Sequence, residues 1–184
     1  MSRVEKDGDK DPQTTRQSIL DGAIRIAAAQ GLAALTVQSV ADVSGFTKGA
    51  LFHHFSNKQV LIDAMFDELL VRFEAVLDAH IERDDLRHGC FTRAYVNAAF
   101  DPQESEPYSC SAALAYAVPA DERMRAKWNR WLASQLEKHG ATDQSRHLEV
   151  IRLAADGVWI NHLVEDRPGE DLEELKRYLV MLTR

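Results

Sequence analysis

Two threonines, Thr36 and Thr47, each stand directly before a short helix-forming run, and Ser44-Gly45-Phe46 separates the two runs. A threonine in that place accepts from first-turn N–H groups and caps the helix. The capped end still presents free N–H groups and a positive dipole to anions, phosphate oxygens above all. Lys48, His53 and His54 project from the second run, and Gly49 permits close approach of its backbone. Such a helix fits the major groove of DNA, where cations and backbone amides fix register on phosphates and an amide such as Gln38 reads base edges. Val40, Ala41, Phe46 and Leu51 have the spacing to pack the two runs together, while Gly45 supplies the positive φ that a tight turn needs. The pattern is a helix-turn-helix.

Other chemistries lack their residues. Adjacent His53 and His54 point about 100° apart on a helix and cannot share a metal. His80, His88, His139, His147 and His162 stand apart, with no Glu-x-x-His pair of the kind that builds di-metal sites in bundles. Ser109 and Ser111 flank Cys110 without a Gly-x-Ser-x-Gly elbow. The expectation is a non-enzymatic chain with no metal and no cofactor. Cys90 and Cys110 are too few and too separated for a disulfide framework and read as reduced thiols.

The elements around the motif read as all-α. Residues 1–13 are polar and form an expected disordered tail. A first helix opens near Thr14 or Thr15, carries Ile19, Ala23, Ile26 and Ala27 on one stripe, and stops at Gly31. The capped runs follow as Val37 to Ser44 and Lys48 to Phe55. Ser56 or Asn57 then caps a long helix with apolar residues from Val60 to Ile81 at three- and four-residue steps. Further helices are expected over 88–100, 107–118 (closed by Pro119), 120–139 (closed by Gly140), 143–165 and 170–183, with a loop from Asp101 to Glu106. The division is a helix-turn-helix domain over 14–60 and a larger helical domain over 61–184.

Charge sharpens that division. The 184 residues carry a net charge of −7, which on average disfavours a polyanionic partner. Residues 1–60 sum to +1 and the remaining 124 to −8, so the acid lies outside the reading head. No apolar run approaches the roughly 18 residues of a membrane span. The first twelve residues mix acids and bases where a secretion signal would be apolar, so the expected location is the cytoplasm.

The run Gly49-Ala50-Leu51-Phe52-His53-His54-Phe55-Ser56-Asn57-Lys58 carries a specific resemblance. Residues 15–66 are similar to the N-terminal DNA-binding domain of the TetR (tetracycline-repressor-like) family of bacterial regulators. The resemblance implies that Thr36, Val37 and Gln38 lie at the DNA-facing start of one helix. It also implies that Thr47, Lys48, Gly49, Phe52, His53 and His54 form the recognition surface, and that Lys58 holds a phosphate. Phe52 departs from the family's usual tyrosine and exchanges a phosphate hydrogen bond for an apolar contact. Val37, commonly a hydroxyl residue, likewise gives one up.

The resemblance further implies that 61–184 is a ligand-binding and dimerisation domain and that the chain is a homodimeric repressor, bound to a palindromic double-stranded DNA operator and released by a small, largely apolar or aromatic effector. Aromatic residues after position 90, with a few polar ones, give an expected pocket of Phe91, Tyr95, Tyr116, Trp128, Trp131, Asp156, Trp159 and His162. The helix from Arg146 is apolar on two sides: Leu148, Ile151, Ala155, Val158 and His162 on one, Val150, Leu153, Ala154, Gly157, Ile160 and Val164 on the other. A helix of that kind buries both faces. Leu148, Ile151, Ala154, Gly157 and Val158, with Leu172, Leu175 and Leu179 of the last helix, are the expected dimer contacts.

Overall fold

The computed structural model describes residues 11–100, 110–161 and 169–184, and all regular structure among them is helical. Helix α1 spans Pro12–Gln30, α2 Val37–Ser44, α3 Lys48–His54, α4 Lys58–Glu82 and α5 Cys90–Phe100. Then come α6 Cys110–Ala120, α7 Glu122–Lys138, α8 Gly140–Asp143, α9 Arg146–Asn161 and α10 Gly169–Leu182. The first helix starts earlier than expected, because Pro12 in the first turn has no N–H to leave unpaired and already holds a helical φ. Pro12 and Gln13 therefore belong to α1 rather than to a tail. Pro119 does not close α6 either. In the last turn it forfeits one backbone bond while its fixed φ stays helical, and α6 runs to Ala120.

The reading head is set by local bonds. Thr36 Oγ1 accepts from Ser39 N at 3.0 Å while Ser39 Oγ accepts from Thr36 N at 2.8 Å, a reciprocal cap at the start of α2. Gly45 ends α2 at φ 76°, a left-handed conformation in which a side chain would be strained. Thr47 accepts from Ala50 N and opens α3, and Asn57 accepts from Val60 N and opens α4. Helix α3 is one residue shorter than expected, since Phe55 leaves helical dihedrals and turns its ring into the core.

Helix α4 runs unbroken from this head into the larger half of the chain. Helix α1 is tied to it well past residue 60: Gln17 donates to Glu68, and Arg72 bridges Asp21 and Glu68. Along its other edge α4 is strapped to α7 by Asp63–Arg123, Asp67–Lys127, and Lys138 with both Glu74 and Asp78. Helix α5 is central, with α4, α8, α9 and α10 packed around it.

Two buried polar clusters hold the start of α5. Arg93 donates to Asp84, to the carbonyls of Leu86 and His88, and to Thr183, so it joins the α4–α5 loop to the end of α10. Asp143, fully buried on the unanticipated single turn α8, accepts from Phe91 N at 3.3 Å, from Thr92 N at 2.8 Å, and from the hydroxyls of Thr92 and Thr142. Arg152 of α9 closes this cluster by donating to Thr92 Oγ1 and to the Asp143 carbonyl.

Candidate functional site

On α3, Leu51 points into the core, and successive residues are offset by about 100°. Gly49, Phe52 and His53 therefore turn away from it on the exposed side, with Phe52 50% accessible, and Lys48 is exposed in the first turn. His54 lies nearer Leu51 and is half-buried, its ring edge-on to His53 at 5.4 Å. Thr36, Gln38, Thr47 and Lys58 are exposed and Val37 is half-buried. Gln38 Nε2 donates to Asp42 Oδ1 at 2.6 Å, one helical turn along α2, which occupies its amide.

The cations of the head divide into two kinds. Arg16 sits over the Phe55 ring at 5.3 Å and Arg25 reaches the Val43 carbonyl at 3.4 Å, so both are turned toward the chain's own atoms. Lys48 and Lys58 have no ion-pair partner among the described residues. The surface thus offers two available lysines, the first-turn amides of α2 and α3, and an aromatic ring between them.

Away from the head, a cleft of about 530 Å³ opens between α5, α7, α8 and α9. Leu132 and Leu136 of α7 and Leu153 of α9 form its apolar walls, and Tyr95, Arg152 and Asp156 lie deeper. Tyr95 donates to Asp156 Oδ1 at 2.5 Å. Burial pushes the Asp156 carboxyl above the usual range, opposed by the Tyr95 bond and by the Arg152 charge. Burial likewise pushes the Tyr95 hydroxyl well up, the Asp156 charge adding to it, and draws the Arg152 guanidinium down.

Of the expected pocket residues, the cleft brings together Tyr95 and Asp156. Phe91, Trp128 and Trp131 pack into the core instead: Phe73 of α4 lies 5.9 Å from Trp128 and 5.4 Å from Trp131, and Phe91 stacks on His139 at 5.1 Å. Aromatic rings gain most by packing on one another, which is why their clustering marks the core and not the cavity. The side chains of Tyr116 and Trp159, and all of His162, lie outside the described residues. The leucines and Arg152 were missed because nothing in their local spacing sets them apart from core and surface residues.

The expected dimer contacts also divide. Leu148, Ile151, Val158 and Leu179 are buried against the chain's own core, α9 and α10 both packing on α5, and so cannot meet a second copy. Leu172 and Leu175 are half-buried, and Ala154 and Gly157 are exposed. The stripe of α9 left open is the other one, Val150, Leu153, Ala154, Gly157 and Ile160, with Tyr178 and Met181 of α10 also exposed.

Residues 19–65 match the family described as bacterial regulatory proteins, tetR family, and residues 89–184 match the tetracyclin repressor-like C-terminal domain. The HTH-type transcriptional repressor AcnR of Corynebacterium glutamicum is 31% identical over 121 residues, which are 66% of this chain and 59% of that repressor. The match therefore spans less than two thirds of that relative's length. The HTH-type transcriptional repressor KstR2 of Mycobacterium tuberculosis is 23% identical over 158 residues, covering 79% of this chain and 78% of that protein. Among solved structures, a putative TetR-family regulator from Rhodococcus sp. superposes with a TM-score of 0.71 at 18% identity, covering 92% of this chain and 98% of that one. The multidrug binding protein EbrR complexed with malachite green gives a TM-score of 0.64 at 21% identity and the same coverage. No helix among the described residues is long and apolar enough to cross a membrane.

Proposed function

Since the chain belongs to the TetR family of transcriptional regulators, we propose that it is a repressor that binds a palindromic operator as a homodimer and leaves it when a small, largely apolar effector enters the α7–α9 cleft. The observation that carries the reading is the exposed face of α3, where Lys48, Phe52 and His53 stand outward on a helix locked by Leu51 and Phe55. In a dimer two such helices span about 34–36 Å, one turn of DNA. Thr36, Val37, Gln38, Thr47, Gly49, His54 and Lys58 flank that face and supply backbone and side-chain contacts. Val150, Ala154, Gly157 and Ile160 of α9, with α10, form the surface for the second copy. The site is a binding surface and carries no catalytic role.

Coupling runs through α7. Its inner face forms the cleft wall with Leu132 and Leu136, and its outer edge is ion-paired to α4 along four acidic residues. An effector that displaces α7 drags α4, and α4 begins at Lys58 on the DNA side. The differential contact of effector with the two positions of α7 is the free energy that shifts operator affinity. EbrR, captured with malachite green, is a protein of this fold with a bound organic compound, and the same use of the cleft is proposed here.

Selection of bound DNA from a random pool by the purified protein is expected to yield a palindrome with half-sites about one turn apart; no enrichment over non-specific binding overturns the reading. Among the described residues, the two reading heads of a dimer offer four lysines without an ion-pair partner, so log affinity against log salt is expected to fall with a slope of about −4, using about −0.9 per neutralised phosphate. Lys48→Ala or Lys58→Ala each removes two of them per dimer and is expected to flatten the slope by about 2. Fluorescence anisotropy of labelled operator between 50 and 300 mM salt, roughly the range in which phosphate contacts dominate, reads both. A slope near zero favours a helix-turn-helix used for protein contact.

A further inference from the structure

Resting on the sensor reading of the cleft, we infer that its ligand is an apolar organic cation and that Asp156 is the counter-charge. The charges lining the cleft belong to Glu137, Asp143, Glu149, Arg152 and Asp156. Two of these are already spent. Asp143 is sealed beneath the first turn of α5 by two backbone N–H groups and two hydroxyls. Arg152 gives its hydrogen bonds to Thr92 and the Asp143 carbonyl, with its charge set first against Asp143 and also felt by Asp156, to which it donates no bond among the described residues. A ligand entering between Leu132, Leu136 and Leu153 therefore meets Asp156 at depth and the Glu137 and Glu149 side chains around it, Glu149 itself paired with Arg146.

Asp156 keeps one oxygen open to a ligand. One oxygen accepts from Tyr95, and its other oxygen has no partner among the described residues. Burial has raised its pKa, the sign of a carboxylate that the surrounding protein incompletely compensates. A cation removes that deficit, an apolar body covers the leucines, and a neutral or anionic ligand of the same shape does only the second. Charge on the ligand is thus the discriminating feature, and shape is loosely specified by a cleft with mainly leucine walls.

The test uses the full chain and three probes on one scaffold: 1-pyrenemethylammonium, 1-pyrenemethanol and 1-pyrenecarboxylate, titrated by calorimetry. The expected ranking has the ammonium at least tenfold tighter than the alcohol, with the carboxylate weakest. Asp156→Asn, which keeps an acceptor for Tyr95, is expected to bring the ammonium within threefold of the alcohol, whereas Glu122→Gln, exposed at the start of α7 and outside the cleft lining, changes it less than threefold. Equal affinities, no binding by any probe, a preference for the carboxylate, or full charge discrimination in Asp156→Asn overturns the inference. The ranking on the unaltered protein stands as a test even if the variant misfolds. Operator selection by the ligand-free protein is scored separately. Its failure removes the repressor reading and leaves the ranking intact, and a flat ranking with normal operator binding removes only the cation.

Discussion

Asp143→Ala is expected to destabilise the chain by about 3–5 kcal/mol, the cost of breaking a buried charged cluster from one side. The carboxylate is fully buried and takes bonds from Phe91 N, Thr92 N, Thr92 Oγ1 and Thr142 Oγ1. Without it the first-turn donors of α5 lose their acceptor, and the Arg152 guanidinium loses the largest of the opposing charges that act on it. Asp143→Asn is expected to cost less, about 2–3 kcal/mol, because one oxygen survives while an NH₂ faces donors. Urea unfolding followed by circular dichroism separates the two, and the alanine variant should lose on the order of 10 °C of thermal stability. A change under 1 kcal/mol for alanine would show that water or a neighbouring side chain replaces the carboxylate readily. The cluster also bears on the cleft, since Arg152 stands one helical turn before Asp156 on α9.

The contrast between that cluster and the reading head shows what a sequence can disclose. The head is written in bonds of short range: Thr36 to Ser39, Thr47 to Ala50, Asn57 to Val60, and a left-handed Gly45. Residue types three positions apart, with a glycine at the turn, are enough to infer it. The acceptor at Asp143 meets donors 51 and 52 residues away. Nothing local distinguishes it from a surface aspartate, and α8, only four residues long, has no periodicity to detect.

The cleft fell between these cases. Tyr95 and Asp156 were legible as a polar handle and a carboxylate among aromatics. The rings themselves were drawn into the core by Phe73 of α4, a residue outside the stretch considered for the pocket. The two stripes of α9 were legible as stripes, because 3.6-residue periodicity separates faces. Which of them faces inward depends on what α5 offers, and this helix presents an almost wholly buried surface to its neighbours. Hence Leu148, Ile151 and Val158 complete the core, and the other stripe stays exposed on the single chain.

Gly157→Arg is expected to abolish dimerisation at micromolar concentration and lower operator affinity at least about 100-fold, since a lone recognition helix reads one half-site and linked half-sites gain by effective concentration. In the single chain a Cβ at Gly157 meets nothing within 4 Å. A side chain there therefore fits without strain, and replacing a mid-helix glycine stabilises α9 by about 0.5–1 kcal/mol. Around it Val150, Leu153 and Ile160 are 57%, 61% and 53% exposed, and Tyr178 and Met181 of α10 exceed half exposure. A monomer gains nothing by presenting this many large apolar groups on neighbouring turns. Ala154 and Gly157 leave room for a second backbone, and arginines at that crossing would repel each other across a two-fold axis. Sedimentation equilibrium and operator anisotropy on the same sample read both effects. The diagnostic signature is a variant at least as heat-resistant per chain as the parent, yet monomeric and unable to hold the palindrome. A variant that remains dimeric with normal operator affinity would move the interface off α9. One that unfolds would mean that Gly157 serves the monomer, which Val150→Glu, an exposed site on the same stripe, would then test from the other side.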